Sequence, residues 1–436
     1  MSFKLLEQLK LFLLKSLIVL VPLLIIPNEH LTDYFTYPKA LFLWLLCLCL
    51  LFLTLIELYN KQQRFKKSDL WLAFGFLSLI FISACVSDFQ DLVWIGQLNQ
   101  HNGVLTYFSF IILFFTSYSL KAHRIALIKL IVITSSVVSL IGILQYFDIS
   151  LWEPDGIRVY WKRIYSTIGN ANWLSGIMLL ALPLAFYLQQ NQTNKLFWSF
   201  IIIINSAALF ASGTRGAYLA FFIVLFTWLF NHRRSLMNMI NPLLALIIGF
   251  CFANFKNNYP IKRIISTQIN INKGINGDLS AGEHRLFIYK TSLPLVKEHW
   301  ILGSGPDTFG RIYPQHEIKA LLRKEKGNNA NFAKNLNIAH NEYIQLAVTL
   351  GFGALLIFLA FLSKGIMAVF YNYSAFNFYL GLGVIGLAIY FIFTDNSLAV
   401  ASFFWILIGL KEDPNEHNIS SRRTNVLIKS KSISYS

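Results

Sequence analysis

The chain has 436 residues, 56% of them hydrophobic and 13% charged, with a mean hydropathy of +0.55. That balance excludes an ordinary water-soluble fold of this length. The formal net charge of +16 would suggest a nucleic-acid partner in a soluble protein; in a membrane protein basic residues first report orientation, and no nucleic acid is expected.

The expectation is an all-α, polytopic integral membrane protein, because lipid tolerates only helices or closed barrels, and the alternating strands of a barrel are not seen. Apolar runs predict about 12 spans, near residues 9–27, 40–58, 70–87, 104–120, 126–147, 171–188, 196–212, 216–230, 236–253, 343–362, 376–394 and 396–410. The first run lacks a small-residue cleavage site and is followed by another span, so it reads as a retained helix and not a cleaved signal. Only Thr394, Asp395 and Asn396 separate the last two runs, and a re-entrant hairpin is the alternative there. Cys47, Cys49, Cys85 and Cys251 all fall in apolar runs, where cysteine behaves as a small hydrophobe.

Alternate loops carry Lys61, Arg64, Lys66 and Lys67, then Lys121 and Arg124, Lys195, Arg233 and Arg234, and Lys364. That side is expected to be cytoplasmic, together with both termini. The organisation read from this is a membrane bundle over 1–253, a large periplasmic or extracellular loop with short helices over 254–342, a second bundle part over 343–410 and a disordered cytoplasmic tail over 411–436. Long loops translocate regardless of charge, so the basic residues of 254–342 do not contradict this topology. They ask for an anionic partner at the membrane surface. A second outer segment, 148–170, sets Arg158, Lys162 and Arg163 among Trp152, Tyr160, Trp161 and Tyr165; by itself it reads as an interfacial anchor.

Three polar signals fall on the outer side. In SGTRGAYLA, Arg215 sits between two spans, flanked by Gly213 and Gly216, and must reach headgroups, a carboxylate or a bound anion. In GEHRLFIYKTSLPLVKEHWILGSGPDTFG, Arg285 opens a short helix that ends at Gly303 and Gly305. That turn is a helix stop or a backbone N–H site for an oxyanion. In AHNEYIQL, Asn341 is an N-cap candidate, Glu342 favours the positive helix end, and His340 projects at the end of the loop. Tyr343 is interfacial packing or part of the same site. Two fixed cations and one titratable group suit transfer from a diphosphate leaving group: guanidinium stabilises phosphate charge, and imidazole takes a hydroxyl proton. The outer loops contain no Asp-x-Asp pair, so neither a metal nor another cofactor is expected.

IGNANW (168–173), SGTRG (212–216), the block from Arg285 to Phe309 and HNEYIQLAVTLG (340–351) resemble the O-antigen ligase family, which includes O-antigen polymerases and certain protein O-oligosaccharyltransferases. The resemblance covers roughly 165–355. It implies a GT-C-like, metal-independent, inverting glycosyltransferase of the bacterial cytoplasmic (inner) membrane with a periplasmic or extracellular active site. Its donor would be a glycan on a polyprenyl diphosphate, and its acceptor a glycan, lipid or protein. Arg215 and Arg285 match the diphosphate-binding arginines and His340 the essential histidine. Asn170, Asn341, Tyr343, Gly303, Gly305 and Arg158 are candidate supporting residues. After the His-Asn pair, Gly351 fits the ligase pattern and Ala354 departs from it, and KALLRKEKGNNANFAKNLN is an unusual insertion. A lipid-linked oligosaccharide flippase and an envelope scaffold without chemistry are the readings from other classes.

Overall fold

The computed structural model describes residues 3–26, 33–60, 65–149, 163–233, 236–275, 282, 284–314, 336–370 and 374–412. Arg158 and its neighbouring aromatics, most of the KALLRKEKGNNANFAKNLN insertion and the tail from 413 lie outside the described residues. Every long element is an α-helix: α1 Phe3–Leu23, α2 Tyr37–Tyr59, α3 Lys67–Val86, α4 Val104–Ser119, α5 Arg124–Tyr146, α6 Ala171–Asn191, α7 Lys195–Ala211, α8 Arg215–His232 and α9 Leu236–Asn254. After these come α10 Tyr259–Ile275, α11 Arg285–Glu298, the single turn α12 Phe309–Ile312, α13 Glu342–Thr349, α14 Gly351–Phe370, α15 Ala375–Tyr390 and α16 Leu398–Leu410.

Among the described residues, six helices are long and apolar enough to cross a bilayer, and α4, α7, α15 and α16 are shorter apolar helices. The chain is therefore a multi-pass membrane protein. Exposed apolar residues such as Phe52, Trp71, Phe226 and Met237 belong on its lipid-facing surface. Helices α6 and α16 form the interior. All 13 residues of α16 are buried, and at about 20 Å it falls short of a bilayer's apolar thickness of about 30 Å. It is enclosed by protein. Trp405 packs against Phe76, Phe110, Phe114 and Phe361.

Polar contacts gather at the two ends of the bundle. At one end Lys10, fully buried, donates to Glu57 (2.6 Å) and Ser119 (2.6 Å), and Arg124 pairs with Glu412 and Lys364 with Asp69. At the other end Lys39 donates to the Thr167 carbonyl (2.8 Å), Thr167 to that of Pro22 (2.7 Å), and Asp33 meets His101 (3.0 Å). Asp307 fastens two segments there, accepting from the backbone N–H groups of Gln97 (2.8 Å) and Asn102 (3.0 Å).

The structure departs from the sequence reading over 343–362, where one continuous span was expected. The helix breaks after Leu350, because Gly351 takes φ +82°, a conformation open chiefly to glycine. The segment around the Gly-Ser-Gly turn docks on the break: Phe352 N–H donates to the Trp300 carbonyl (2.8 Å) and Gly305 N–H to that of Thr349 (2.9 Å). Short α13 is thereby set apart from α14 and carries the start of the site.

Candidate active site

The arginine motifs are brought together by capping and turn chemistry. Asn170 caps α6, its side chain accepting from Asn172 N–H (2.8 Å), and this turns Asn172 toward the preceding segment. Arg163 bridges the two motifs. Its Nε donates to the Ser212 carbonyl (2.7 Å), and its Nη2 to Asn172 Oδ1 (2.6 Å) and Thr214 Oγ1 (2.8 Å). Gly213, at φ +64°, turns its carbonyl to accept from Arg263 Nε on α10 (3.0 Å). Arg215 and Arg285 are the first residues of α8 and α11, where the positive ends of the helix dipoles add to their own charge. Gly216 leaves room for Phe393: an added Cβ would lie 2.7 Å from that ring's Cβ.

The resulting cleft is lined by Arg163, Asn172, Thr214, Arg215, Gly216, Arg263, Arg285 and Phe393. Among the described residues four arginines and no carboxylate line it, the kind of lining a polyanion needs. Arg285 Nη1 donates to the Gly282 carbonyl (3.4 Å), and its buried Nε has no hydrogen-bond partner among the described residues.

His340 stands beside this cleft. Asn341 caps α13, accepting from the N–H groups of Tyr343 (3.0 Å) and Ile344 (3.1 Å), and His340 before it takes φ +50°. Tyr289, one turn after Arg285 on α11, donates its hydroxyl to the carbonyls of His340 (3.0 Å) and Ile392 (2.6 Å). One helix thus carries a cleft arginine and the tether of the histidine. His340 Nδ1 lies 4.0 Å from Oδ1 of Asp395, an ion-pair distance beyond hydrogen-bond range. Asp395 Oδ2 accepts from Trp173 Nε1 of IGNANW (3.2 Å).

Burial pushes the Asp395 carboxyl up to about 6, opposed by the Trp173 hydrogen bond and the nearby Arg285 charge. Burial also pushes Glu342 up to about 8, against its hydrogen bond from Asn396 N–H (2.8 Å) and with the neighbouring Asp395 and Asp307 adding to the rise. Glu342 does more than favour a helix end. Its N–H donates to the carbonyls of Phe391 (2.9 Å) and Thr394 (3.0 Å), so it holds the 391–397 turn against His340.

Among the sequence candidates, Arg215 and Arg285 share the cleft, and His340 adjoins it through Tyr289 and Asp395. Asn170 and Asn341 act as caps. Tyr343 donates to the Ala388 carbonyl (2.6 Å) and docks α13 on α15. Gly303 and Gly305 do not line the cleft; their N–H groups donate to the carbonyls of His299 and Thr349 (2.9 Å each). They therefore cannot serve the oxyanion contact considered for them, and the turn instead anchors α13. The sequence presents Arg163 as part of an interfacial anchor, Arg263 as one of the basic residues of the outer loop and Asp395 as a connector residue. For Asp395 the available signal was an acid placed between two apolar runs, which is costly unless it has work to do.

A search of curated proteins finds no match to this chain. Residues 200–359, which contain Arg215, Arg263, Arg285 and His340, match the family model described as O-antigen ligase, a likeness that supports an O-antigen ligase or polymerase reading for this part of the chain.

Proposed function

We propose that the protein transfers a glycan from a polyprenyl diphosphate carrier to an acceptor hydroxyl, as a GT-C-like glycosyltransferase of about twelve spans whose cleft opens on the outer side of the bacterial cytoplasmic membrane. The observation that carries this reading is the gathering of Arg163, Arg215, Arg263 and Arg285 around one cleft beside the His340–Asp395 pair. Sidedness is supported by the opposite bundle end, where Lys121, Arg124, Lys195 and Arg233 lie in or beside the connections between helices and Lys364 in the last two turns of α14.

In this reading the diphosphate occupies the cleft, with Arg285 Nε directed at one of its oxygens. His340 takes the acceptor hydroxyl's proton as the oxygen attacks C1 of the donor sugar. The C1–O bond to the diphosphate breaks, its electron pair leaves with the polyprenyl diphosphate, and the guanidiniums stabilise the growing charge. The proton rests on the imidazole, which the Asp395 carboxylate stabilises as a cation. Displacement from the opposite face would invert the anomeric centre. This chemistry asks for no metal, since arginines supply the charge that a divalent ion would.

Gathering of the four arginines at one end favours transfer over a flippase, which would place its charged groups near the bilayer midplane. Ligation and polymerisation differ only in the acceptor. The test is purified protein in proteoliposomes with a polyprenyl diphosphate-linked glycan and a panel of lipid, glycan and protein acceptors. Product formation that disappears in His340→Ala and Arg285→Ala supports the proposal; wild-type rates in both variants overturn it.

A further inference from the structure

Helix α10 has two faces of different character. Ile261, Ile264, Ile265, Ile269, Ile271 and Ile275 fall on one arc at 100° per residue, interrupted by Gln268 and Asn272, and Lys262, Arg263, Ser266, Thr267, Asn270 and Lys273 on the other. The polar arc faces protein in part. Arg263 Nε reaches the Gly213 carbonyl (3.0 Å), and Asn270 Oδ1 accepts from Gly282 N–H (3.2 Å). On the apolar arc only Ile264 packs against the main core. Ile265 is 60% exposed, Ile269 57% and Ile275 78%.

An isoleucine face left open to water costs about 25 cal/mol per Å² of apolar surface, and what would cover it is indicated by its neighbours. α9, a candidate membrane span, exposes Leu244, Ile247, Ile248 and Phe252, and Phe255 just after it is 82% exposed. Only residues 255–258 separate α9 from α10, a reach of at most roughly 14 Å. The apolar surface of the span therefore continues along the chain onto α10 at the membrane boundary.

We propose that α10 lies in the plane of the outer leaflet with Ile261, Ile265 and Ile269 in contact with phospholipid acyl chains, its opposite face holding Arg263 in the arginine cleft. Lys262 and Lys273, on the flank of the apolar arc, meet the lipid phosphates, the arrangement of an interfacial amphipathic helix. The cleft then opens at the depth of the headgroups. A diphosphate on a lipid carrier reaches the arginines without leaving the bilayer surface. The lipid contact itself is independent of the transfer reaction; only its sidedness rests on the reading above.

The test uses spin labels on a variant lacking the four cysteines, reconstituted in phosphatidylethanolamine–phosphatidylglycerol vesicles. Labels are placed at Ile265→Cys and Ile269→Cys, with Lys273→Cys on the headgroup flank and Leu48→Cys in α2 as references. The measurement compares collision with oxygen, which partitions into lipid, and with a water-soluble nickel chelate. Labels at 265 and 269 are expected to favour oxygen several-fold over Lys273→Cys and to approach Leu48→Cys. Values equal to those of Lys273→Cys overturn the proposal, as does protection from both reagents, which would mean that protein covers this face. If either variant fails to fold, Ile261→Cys on the same arc gives the same readout. Loss of transfer activity with lipid contact intact would count against the proposed chemistry alone.

Discussion

The imidazole Nδ1 of His340 stands 4.0 Å from the Asp395 carboxylate, joining the start of α13 to the turn between α15 and α16. Asp395 is expected to position His340 and to stabilise its protonated form. Because a neighbouring carboxylate raises an imidazole's proton affinity, Asp395→Asn lets the base stay deprotonated to lower pH. The variant should lose about 10²-fold in rate, and the acid limb of its pH–rate profile should move to lower pH. In the unaltered protein the Asp395 carboxyl, at about 6, takes up its own proton along that limb. A limb that stays in place in Asp395→Asn would rule out this role.

Arg215→Ala and Arg285→Ala are each expected to lower transfer by about 10²–10³-fold, measured as product from a polyprenyl diphosphate-linked donor. Lysine at position 285 should restore little, because a point charge cannot reproduce the planar donor fork of guanidinium. Full rescue by lysine would reduce the role of Arg285 to simple charge.

Tyr289→Phe removes the hydroxyl that donates to the His340 and Ile392 carbonyls. Stability should fall by about 1–3 kcal/mol, and the rate should fall with it as His340 loses its tether. Thermal unfolding followed by tryptophan fluorescence, alongside the transfer assay, checks both. An unchanged melting temperature would mean that the hydroxyl carries no part of the tether.

Glu342 gives a pH dependence of stability with a definite sign. Its carboxyl is pushed up to about 8 in the folded chain, so between its ordinary range near 4.3 and 8 the unfolded chain has released a proton that the folded one keeps. Stability therefore falls as pH rises through this window. Glu342→Gln mimics the protonated form, and its melting temperature should decline less between pH 5 and 8 than that of the unaltered protein. Parallel curves would show that Glu342 is already ionised in the fold.

Gly303→Ala tests the anchor of α13. At φ +75°, with a Cβ that would lie 2.2 Å from the Thr349 carbonyl oxygen, alanine should cost more than about 1 kcal/mol. Melting temperature reports it, and tolerance of alanine without change would show that the turn can shift away from α13.

Much of the scaffold was legible because lipid imposes a simple rule on sequence: apolar runs become helices, and basic loops share a side. Arg215 could be singled out because it sits at a break between apolar runs, and Arg285 because it opens a short helix in a block that resembles a known family. Arg163 and Arg263 could not, since each follows a lysine in a basic outer segment and nothing local separates a cleft arginine from a surface one. Asp395 stands out in hydropathy as an acid between two apolar runs, but its partner at residue 340, more than fifty positions away, is information that hydropathy does not contain. The break at Gly351 was hidden for a related reason, because an apolar run looks the same whether or not one of its glycines turns.

The buried Lys10 bears on how the chain is assembled in the membrane. Its ammonium is bonded to Glu57 at the end of α2 and to Ser119 at the end of α4. A lysine in a lone inserted helix costs about 3 kcal/mol by insertion scales, so α1 is poorly settled in lipid by itself. Its partners are synthesised later, and the first helix can close into place only once the fourth has arrived. During biogenesis, α1 would therefore be made before α2 and α4 and yet be fixed only together with them.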